Sequence, residues 1–277
     1  MARFAGIILM LMTMICPVNA QTLRVISLYP GHSDNIFAMG GGEILIALSE
    51  NDDADLLPDL PRVSIRSGAE RLLALKPDTV VTRPFAEKIN PNLYDVLRRA
   101  GVKIISLDPP SWDNFREYLM TLSKELKLNP QSAIARLDSA LALIESSAPK
   151  TNRPHVFLEA TSRELHTCSP DSWASRLIEL AGGLNIAGDA VPLRSGSAIA
   201  PYGVERVLKN AESLDVYIIQ TGAMNSAALR DFRAREWTSA LSNARVYEVP
   251  ERDISRPSLL GIERGGRKLV RIFRGEE

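Results

Sequence analysis

Short apolar runs alternate along the first half of the chain with segments in which apolar residues recur every three or four positions. The runs cover residues 23–30, 78–82 and 103–107 and are rich in Val, Ile and Leu. Such runs are typical of strands buried on both faces, whereas the longer spacing indicates helices. The order βαβα therefore predicts a mainly parallel sheet flanked by helices.

The alternation returns in the second half of the chain. Strands are predicted at residues 155–160, 216–220 and 246–249, and a terminal helix at residues 261–273. Each half is thus predicted to form one α/β lobe.

Between the halves lies a segment without glycine or proline, residues 131–147, with Ile134, Leu137, Leu141 and Ile144 at helical spacing. A helix of about 18 residues would be about 27 Å long. We therefore expect two α/β lobes joined by a single long backbone helix, with little relative movement. The predicted boundaries are residues 21–129 for the first lobe, 130–150 for the linking helix and 151–277 for the second lobe.

The first 20 residues have the pattern of a signal peptide. An apolar run at residues 5–15 is followed by the small-residue cleavage site Val18-Asn19-Ala20. The run is too short to span a bilayer. A lipid anchor on Cys16 is disfavoured because Ile15 stands where a lipobox has a small residue. We expect a protein exported to the periplasm.

Charge, cysteine content and the absence of catalytic motifs argue against several classes of protein. The chain has 33 basic and 33 acidic residues, which gives no indication of nucleic-acid binding. After cleavage Cys168 would be the only cysteine, so no internal disulfide is expected. Gly-x-Ser-x-Gly, P-loop, dinucleotide and paired-cysteine motifs are absent from the sequence, so an enzyme is not predicted. Fold alone does not exclude catalysis.

One local pattern occurs in both halves: Gly68-Ala-Glu70 and Gly203-Val-Glu205 each open a helix that leads into an apolar strand. An acidic residue is favourable in a first helical turn, and Ser67-x-x-Glu70 also matches a capping box. Because the glutamate recurs at the same place on both lobes, we expect a partner that contacts both lobes at once.

Several segments together carry a resemblance to a known family: Arg24-Val-Ile-Ser-Leu-Tyr-Pro30, Glu70-Arg-Leu-Leu-Ala-Leu-Lys-Pro-Asp78, Ala100-Gly-Val-Lys-Ile104, Ala181-Gly-Gly-Leu-Asn185 and Val246-Tyr247. The sequence resembles the helical-backbone (class III) periplasmic substrate-binding proteins of iron–siderophore, haem and cobalamin ABC importers. The resemblance implies a monomer without a resident cofactor. It would deliver a small-molecule metal chelate to a permease dimer with its cytoplasmic ATPase. Glu70 and Glu205 would dock on arginines of the two permease subunits.

Ligands of α/β lobes bind beyond the carboxyl ends of the strands. Loops predicted there hold arginines, which pair with anionic groups, and aromatic residues that could cover a flat ligand. The candidates are Tyr29, Phe85, Trp112, Trp173 and Tyr202 with Arg66, Arg83, Arg163, Arg194 and Arg256, of which Arg83 and Arg256 are favoured. Predicted helix N-termini at Ser33, Ser67 and Ser169 add positive dipole ends. This set predicts an anionic iron chelate.

The sequence is also compatible with ligands other than an anionic iron chelate. His32 and His166 could contact the iron of a chelate or of haem, whereas three histidines are too few for a bare-metal site. The family's cobalamin binders carry tryptophans where this chain has Ile65-Arg66 and Arg83-Pro-Phe85. That difference favours an anionic chelate over cobalamin. A molybdate or tungstate binder, or a sensor without a transported ligand, are further alternatives.

Overall fold

The first lobe is built on a parallel sheet. The computed structural model describes residues 22–55, 57–222, 225 and 229–277, so the predicted signal peptide and Cys16 lie outside the described residues. The strands are β1 (Val25–Ser27), β2 (Leu45–Ser49), β3 (Arg62–Val63), β4 (Thr79–Thr82) and β5 (Lys103–Ser106), and their order is β3-β2-β1-β4-β5. The pairings are parallel, as the apolar runs predict. Around the sheet lie α1 (Pro30–Ala38), α2 (Ala69–Leu73), α3 (Pro84–Ile89), α4 (Pro91–Arg99) and α5 (Phe115–Leu126).

The second lobe has a similar design. Its strands are β6 (His155–Glu159), β7 (His166–Cys168), β8 (Leu184–Asn185), β9 (Ile199–Pro201), β10 (Val216–Thr221) and β11 (Arg245–Pro250). A parallel sheet has the order β11-β10-β6-β8, and β7 pairs with β9 in an antiparallel ribbon. The helices are α7 (Trp173–Leu180), α8 (Val204–Lys209), α9 (Leu229–Arg233), α10 (Glu251–Ile254) and α11 (Leu259–Arg274).

The linking helix α6 (Gln131–Ser147) has the length and position that the sequence predicts. It is packed rather than free, since Leu137 and Ile144 are buried in a core that both lobes share. The same contiguous cluster includes Val81 of β4, Leu177 of α7 and Leu269 of α11. Within the described residues, none of the helices is both long and apolar enough to cross a membrane.

The C-terminal helix α11 packs unusually close to its neighbours because two adjacent glycines face them. A Cβ atom on Gly265 would lie 1.6 Å from the carbonyl oxygen of Asp253 in α10. A Cβ on Gly266 would lie 2.2 Å from Cδ1 of Ile144 in α6. Any larger residue would therefore push α11 away from both helices.

Polar contacts also join the lobes. The buried side chain of Asn35 in α1 donates from Nδ2 to the carbonyl oxygen of Pro257 (3.1 Å) and accepts at Oδ1 from the Leu259 amide (3.1 Å). These bonds connect the first helix of the chain to the start of α11. Together with the shared core, they support the expectation that the lobes move little.

Some local predictions were wrong. Helix α2 begins after Gly68, and the Ser67 hydroxyl accepts from the Ser64 amide instead of capping a helix. Ser33 lies inside α1, and α7 is capped by Ser172 rather than by Ser169. None of the three serines predicted at helix N-termini is therefore an N-cap. Strands β2 and β3 were not predicted, because Leu45–Ser49 and Arg62–Val63 are short and lie in a glycine- and aspartate-rich region.

Candidate ligand-binding cleft

A cavity of about 680 Å³ lies between the lobes. It is bounded by the segments that follow β1, β4, β5, β7 and β11, so the carboxyl ends of strands from both lobes face it. The lining comprises residues 29, 83 and 108–111 of the first lobe with residues 168–174, 192, 196–199, 251, 255 and 257 of the second. This volume is in the range of small-molecule sites, roughly 300–1,000 Å³.

Tyr29 and Arg83 form one wall of the cavity. The Arg83 guanidinium carbon lies 4.6 Å from the centroid of the Tyr29 ring, a cation–π geometry. Gly31 makes room for this ring, since a Cβ there would lie 2.6 Å from Cε1 of Tyr29. The Arg83 Nε is buried without a hydrogen-bond partner. Phe85 is 58% exposed and does not line the cavity. Its ring centroid lies 5.9 Å from the guanidinium carbon of Arg83.

Trp173 lines the cavity from the second lobe. It is the first residue of α7, and its ring packs edge-on against Trp112 (4.9 Å) and Phe115 (5.0 Å) of the first lobe. Its indole Nε1 is buried without a hydrogen-bond partner. A ligand that offers an acceptor to this N–H would satisfy a buried donor, which is costly to leave unpaired.

Carboxylates outnumber cations in the cavity. Among the described lining residues Arg83 is the one cation, against Asp108, Asp171 and Glu251. Burial raises the pKa of Glu251, and Arg256 partly opposes that rise. The sequence analysis missed these three acids. A signal was available, because each of them lies within five residues of a predicted cleft residue: Trp112, Trp173 or Arg256.

The other predicted arginines do not line the cavity. Arg66 and Arg194 are exposed, and Arg66 follows the edge strand β3, two strands from β1. Arg256 pairs with two acids instead, with Nη1 2.5 Å from Oδ2 of the partly exposed Asp53 and 3.5 Å from Oδ2 of the buried Asp34. The side chain of Arg163 lies outside the described part of the chain.

His32 lies in the core beneath the cleft rather than in it. Its Nε2 faces the carbonyl oxygens of Thr82 and Leu107, both at 3.1 Å, so Nε2 carries the proton. The hydroxyl of Tyr118 then donates to Nδ1 (2.6 Å). Burial lowers the pKa of His32 to about 4. With both nitrogens engaged, this histidine fixes the ends of β4 and β5 and is not a free iron ligand.

Two further candidates, His166 and Tyr202, and the cysteine Cys168 have their contacts within the fold. His166 belongs to β7, does not line the cavity, and has Nε2 3.4 Å from Oε2 of Glu164. Cys168 does line the cavity, but burial raises the pKa of its thiol to about 12, opposite to the effect of a helix N-terminus. Tyr202 is buried in the second lobe, where its hydroxyl donates to the Ile186 carbonyl.

Glu70 and Glu205 occupy equivalent positions on the two lobes. Each is exposed and is the second residue of a short helix that begins after a glycine, Gly68 or Gly203. The helices α2 and α8 lead into β4 and β10, which are internal strands of their sheets. The local repeat in the sequence is therefore a repeat in three dimensions.

The family assignment rests on the whole fold and on a sequence match. Residues 49–252, well over half of the chain, match the model of the family described as "Periplasmic binding protein". The chain belongs to this periplasmic binding protein family. Its single linking helix places it in the helical-backbone class, which serves ABC importers for haem, cobalamin and siderophore iron. The vitamin B12-binding protein of Vibrio campbellii is similar, with 26% identity over 249 residues, 87% of this chain and 86% of that relative.

Solved structures of this periplasmic binding protein family have the same fold. The periplasmic haem-binding protein of Vibrio cholerae superposes with a TM-score of 0.73 at 15% identity, covering 91% of this chain and 98% of that one. The periplasmic vitamin B12-binding protein of the same organism gives a TM-score of 0.62 at 23% identity, covering 91% and 96%. The family places the protein in the periplasm.

Proposed function

We propose that this binding protein captures a metal chelate with a large ring system, a corrinoid in the first instance, and delivers it to an ABC permease. The observation that carries the proposal is the cavity of about 680 Å³, to which each lobe contributes an aromatic side chain, Tyr29 from the first and Trp173 from the second. Aromatic side chains from both lobes suit a flat, bulky ligand. Similar proteins are named vitamin B12-binding proteins, which agrees with this cargo.

The charge of the lining supports a cargo rich in hydrogen-bond donors. One arginine and three carboxylates face the cavity among the described residues. The peripheral amides of a corrinoid can donate to Asp108, Asp171 and Glu251, whereas a polyanionic chelate would meet repulsion from them. The excess of carboxylates therefore favours a corrinoid over an anionic chelate, whereas the sequence indicates the opposite preference.

An anionic iron chelate is the second candidate, and Arg83 favours it. Its Nε is buried and lacks a partner, so it is ready to pair with a carboxylate, propionate or catecholate. A molybdate or tungstate ion suits the site less well. Such an ion takes up the space of two or three water molecules, roughly 60–90 Å³, and most of the cavity would remain unfilled.

The experiment that tests the cargo begins with native mass spectrometry and an absorbance spectrum of the protein purified from its own periplasm. A bound corrinoid would add its mass and a visible band. Titration with cyanocobalamin, haemin and the anionic catecholate chelate ferric enterobactin then ranks the three cargo classes. The proposal predicts tightest binding of cyanocobalamin, and failure to bind any of the three would contradict it.

A matched pair of variants separates the two leading cargoes. Arg83→Gln removes the cation from the cavity, and Arg66→Gln removes an exposed arginine outside it. For a corrinoid we expect a change of less than about fivefold in Kd for either variant. For an anionic chelate we expect Arg83→Gln alone to weaken binding by roughly 10- to 100-fold, the value of one charged hydrogen bond.

Delivery is proposed to use Glu70 and Glu205. Both are exposed acids at equivalent places on the two lobes, so one permease dimer can contact them simultaneously. We also infer a monomer, because one cleft and one pair of glutamates complete the unit that a permease dimer needs.

A further inference from the structure

A loop of the second lobe carries exposed apolar side chains beside the cavity. It comprises residues 191–196, here called the cleft loop. Val191 and Leu193 are 75% and 76% exposed, the highest values for large apolar side chains in the described part of the chain. Pro192 and Gly196 of the same loop line the cavity. Val191 and Leu193 therefore lie next to the candidate ligand site and belong to none of the hydrophobic clusters of the described residues.

The base of the cleft loop is fixed while its tip is not packed. Before the loop, the Ala190 amide donates to the Ala187 carbonyl (3.0 Å), and Ala190 is buried. After it, the Ser169 hydroxyl donates to the Ser197 carbonyl (2.6 Å). Gly196 has a φ of +75°, which an L side chain rarely adopts, and this lets the chain turn back towards its anchor. The tip can thus move without disturbing its ends.

Movement of this loop is the easier way to cover a ligand. The lobes share one apolar core through α6 and α11, and Asn35 joins them by buried hydrogen bonds. A large closure of the lobes would break these contacts. A loop of six residues with exposed tips can change conformation at a much smaller cost.

We propose that the cleft loop folds over a cargo in the cavity and that Val191 and Leu193 pack against its apolar face. The inference rests on the proposed function and concerns the same site. Burying the two side chains is favourable only when a cargo supplies the apolar surface. The contact forms after the cargo has entered, so it acts mainly on the rate of dissociation.

The test compares the double variant Val191→Ser/Leu193→Ser with the unchanged protein, using cyanocobalamin, haemin and ferric enterobactin as probes. We expect the probe that binds to dissociate roughly 10- to 100-fold faster from the variant. Association and the urea midpoint of the free protein should change little, because both side chains are exposed. Leu143→Ser is the matched control, since Leu143 is 50% exposed on the linking helix, away from the cleft.

A second measurement follows the loop directly. A thiol introduced by Leu193→Cys should react rapidly with a maleimide in the free protein and at least tenfold more slowly when the probe is bound. Leu143→Cys should react at the same rate in both states. Cys168 interferes little, because it is buried and burial raises the pKa of its thiol to about 12.

Three outcomes would overturn the proposal in distinguishable ways. Unchanged dissociation and unchanged labelling would show that the cleft loop does not touch the cargo. If the double variant releases the probe at the unchanged rate but supports less uptake, Val191 and Leu193 contact the permease rather than the cargo. If the unchanged protein binds none of the probes, the proposed function fails and the proposal fails with it.

Discussion

Arg256 is held between two acids of the other lobe. Its side chain is 10% exposed, and that of Asp34 is 1% exposed. A buried carboxylate is tolerated only with a nearby opposite charge or with a raised pKa. Burial raises the pKa of Asp34, and Arg256 is the largest influence that opposes the rise. The primary role of Arg256 is therefore to keep the two lobes together.

We expect Arg256→Met to lower the free energy of unfolding by about 3 kcal/mol, because it leaves Asp34 buried without its counter-charge. Cargo affinity should change by less than about threefold. Urea denaturation and titration with the best probe measure the two quantities. Asp34→Asn in the same chain should restore part of the loss, since it removes the unpaired charge. If Arg256→Met binds the cargo more weakly but is as stable as the unchanged protein, Arg256 contacts the cargo instead.

The residue types of the cleft could be anticipated, but not the partners of each side chain. Tyr29, Arg83 and Trp173 were predicted at the cavity and do line it. Arg256 was predicted there from its loop, yet its guanidinium pairs with Asp53, about 200 residues earlier in the chain. Such a long-range pair leaves no local pattern, so the sequence alone predicted an excess of cations that the cavity does not have.

At the scale of elements, the close packing of α10 on α11 depends on a missing side chain. Helix α10 has four residues and contributes Glu251 to the cavity. It can lie against α11 because Gly265 has no Cβ. The position of Glu251 in the cavity therefore depends on Gly265 in helix α11.

Gly265→Ala is expected to lower the free energy of unfolding by about 3 kcal/mol or more. Its Cβ would lie 1.6 Å from a backbone oxygen that can move only with α10, so the cost exceeds the helix-propensity gain. Thermal or urea unfolding measures the loss. Gly188→Ala is the control, because the nearest atom to its Cβ would be the Asn185 carbonyl oxygen at 3.6 Å. If Gly265→Ala and the unchanged protein are equally stable, α10 can shift freely to make room for the Cβ.

Elements with a long periodic pattern were predicted better than short ones. Helix α6 has the bounds that its spacing indicated, and β4 and β5 lie within the predicted runs. The two-residue strand β3 and the five-residue helix α2 have too few positions to show a period. Their ends are determined by tertiary contacts, which explains why the capping box at Ser67 was wrong.

For the whole molecule, the paired glutamates predict how the protein meets its permease. We expect Glu70→Arg/Glu205→Arg to reduce uptake by at least tenfold in vesicles that contain the transporter, with unchanged cargo affinity. Each single variant should have an intermediate effect, because in the proposed docking each lobe would contact its own permease subunit. Transport and titration are measured on the same preparation.

The control for this prediction reverses two other exposed acids in first helical turns, Glu43→Arg/Glu117→Arg. It changes the net charge equally and leaves α2 and α8 intact. Normal uptake by the control with loss in the test variant would support docking through the glutamates. If the test variant transports normally, the docking assignment is wrong.

The shared core also has a consequence for how the chain matures. Helix α11 follows the other described elements along the chain, yet Leu269 and Phe273 pack in the same cluster as Val25 and Ile36 near the start. An emerging N-terminal segment therefore leaves its apolar surface uncovered until the C-terminus arrives. Cooperative folding should therefore begin only once α11 is available, and a precursor exported by the predicted signal peptide would still be unfolded when it reaches a secretion channel.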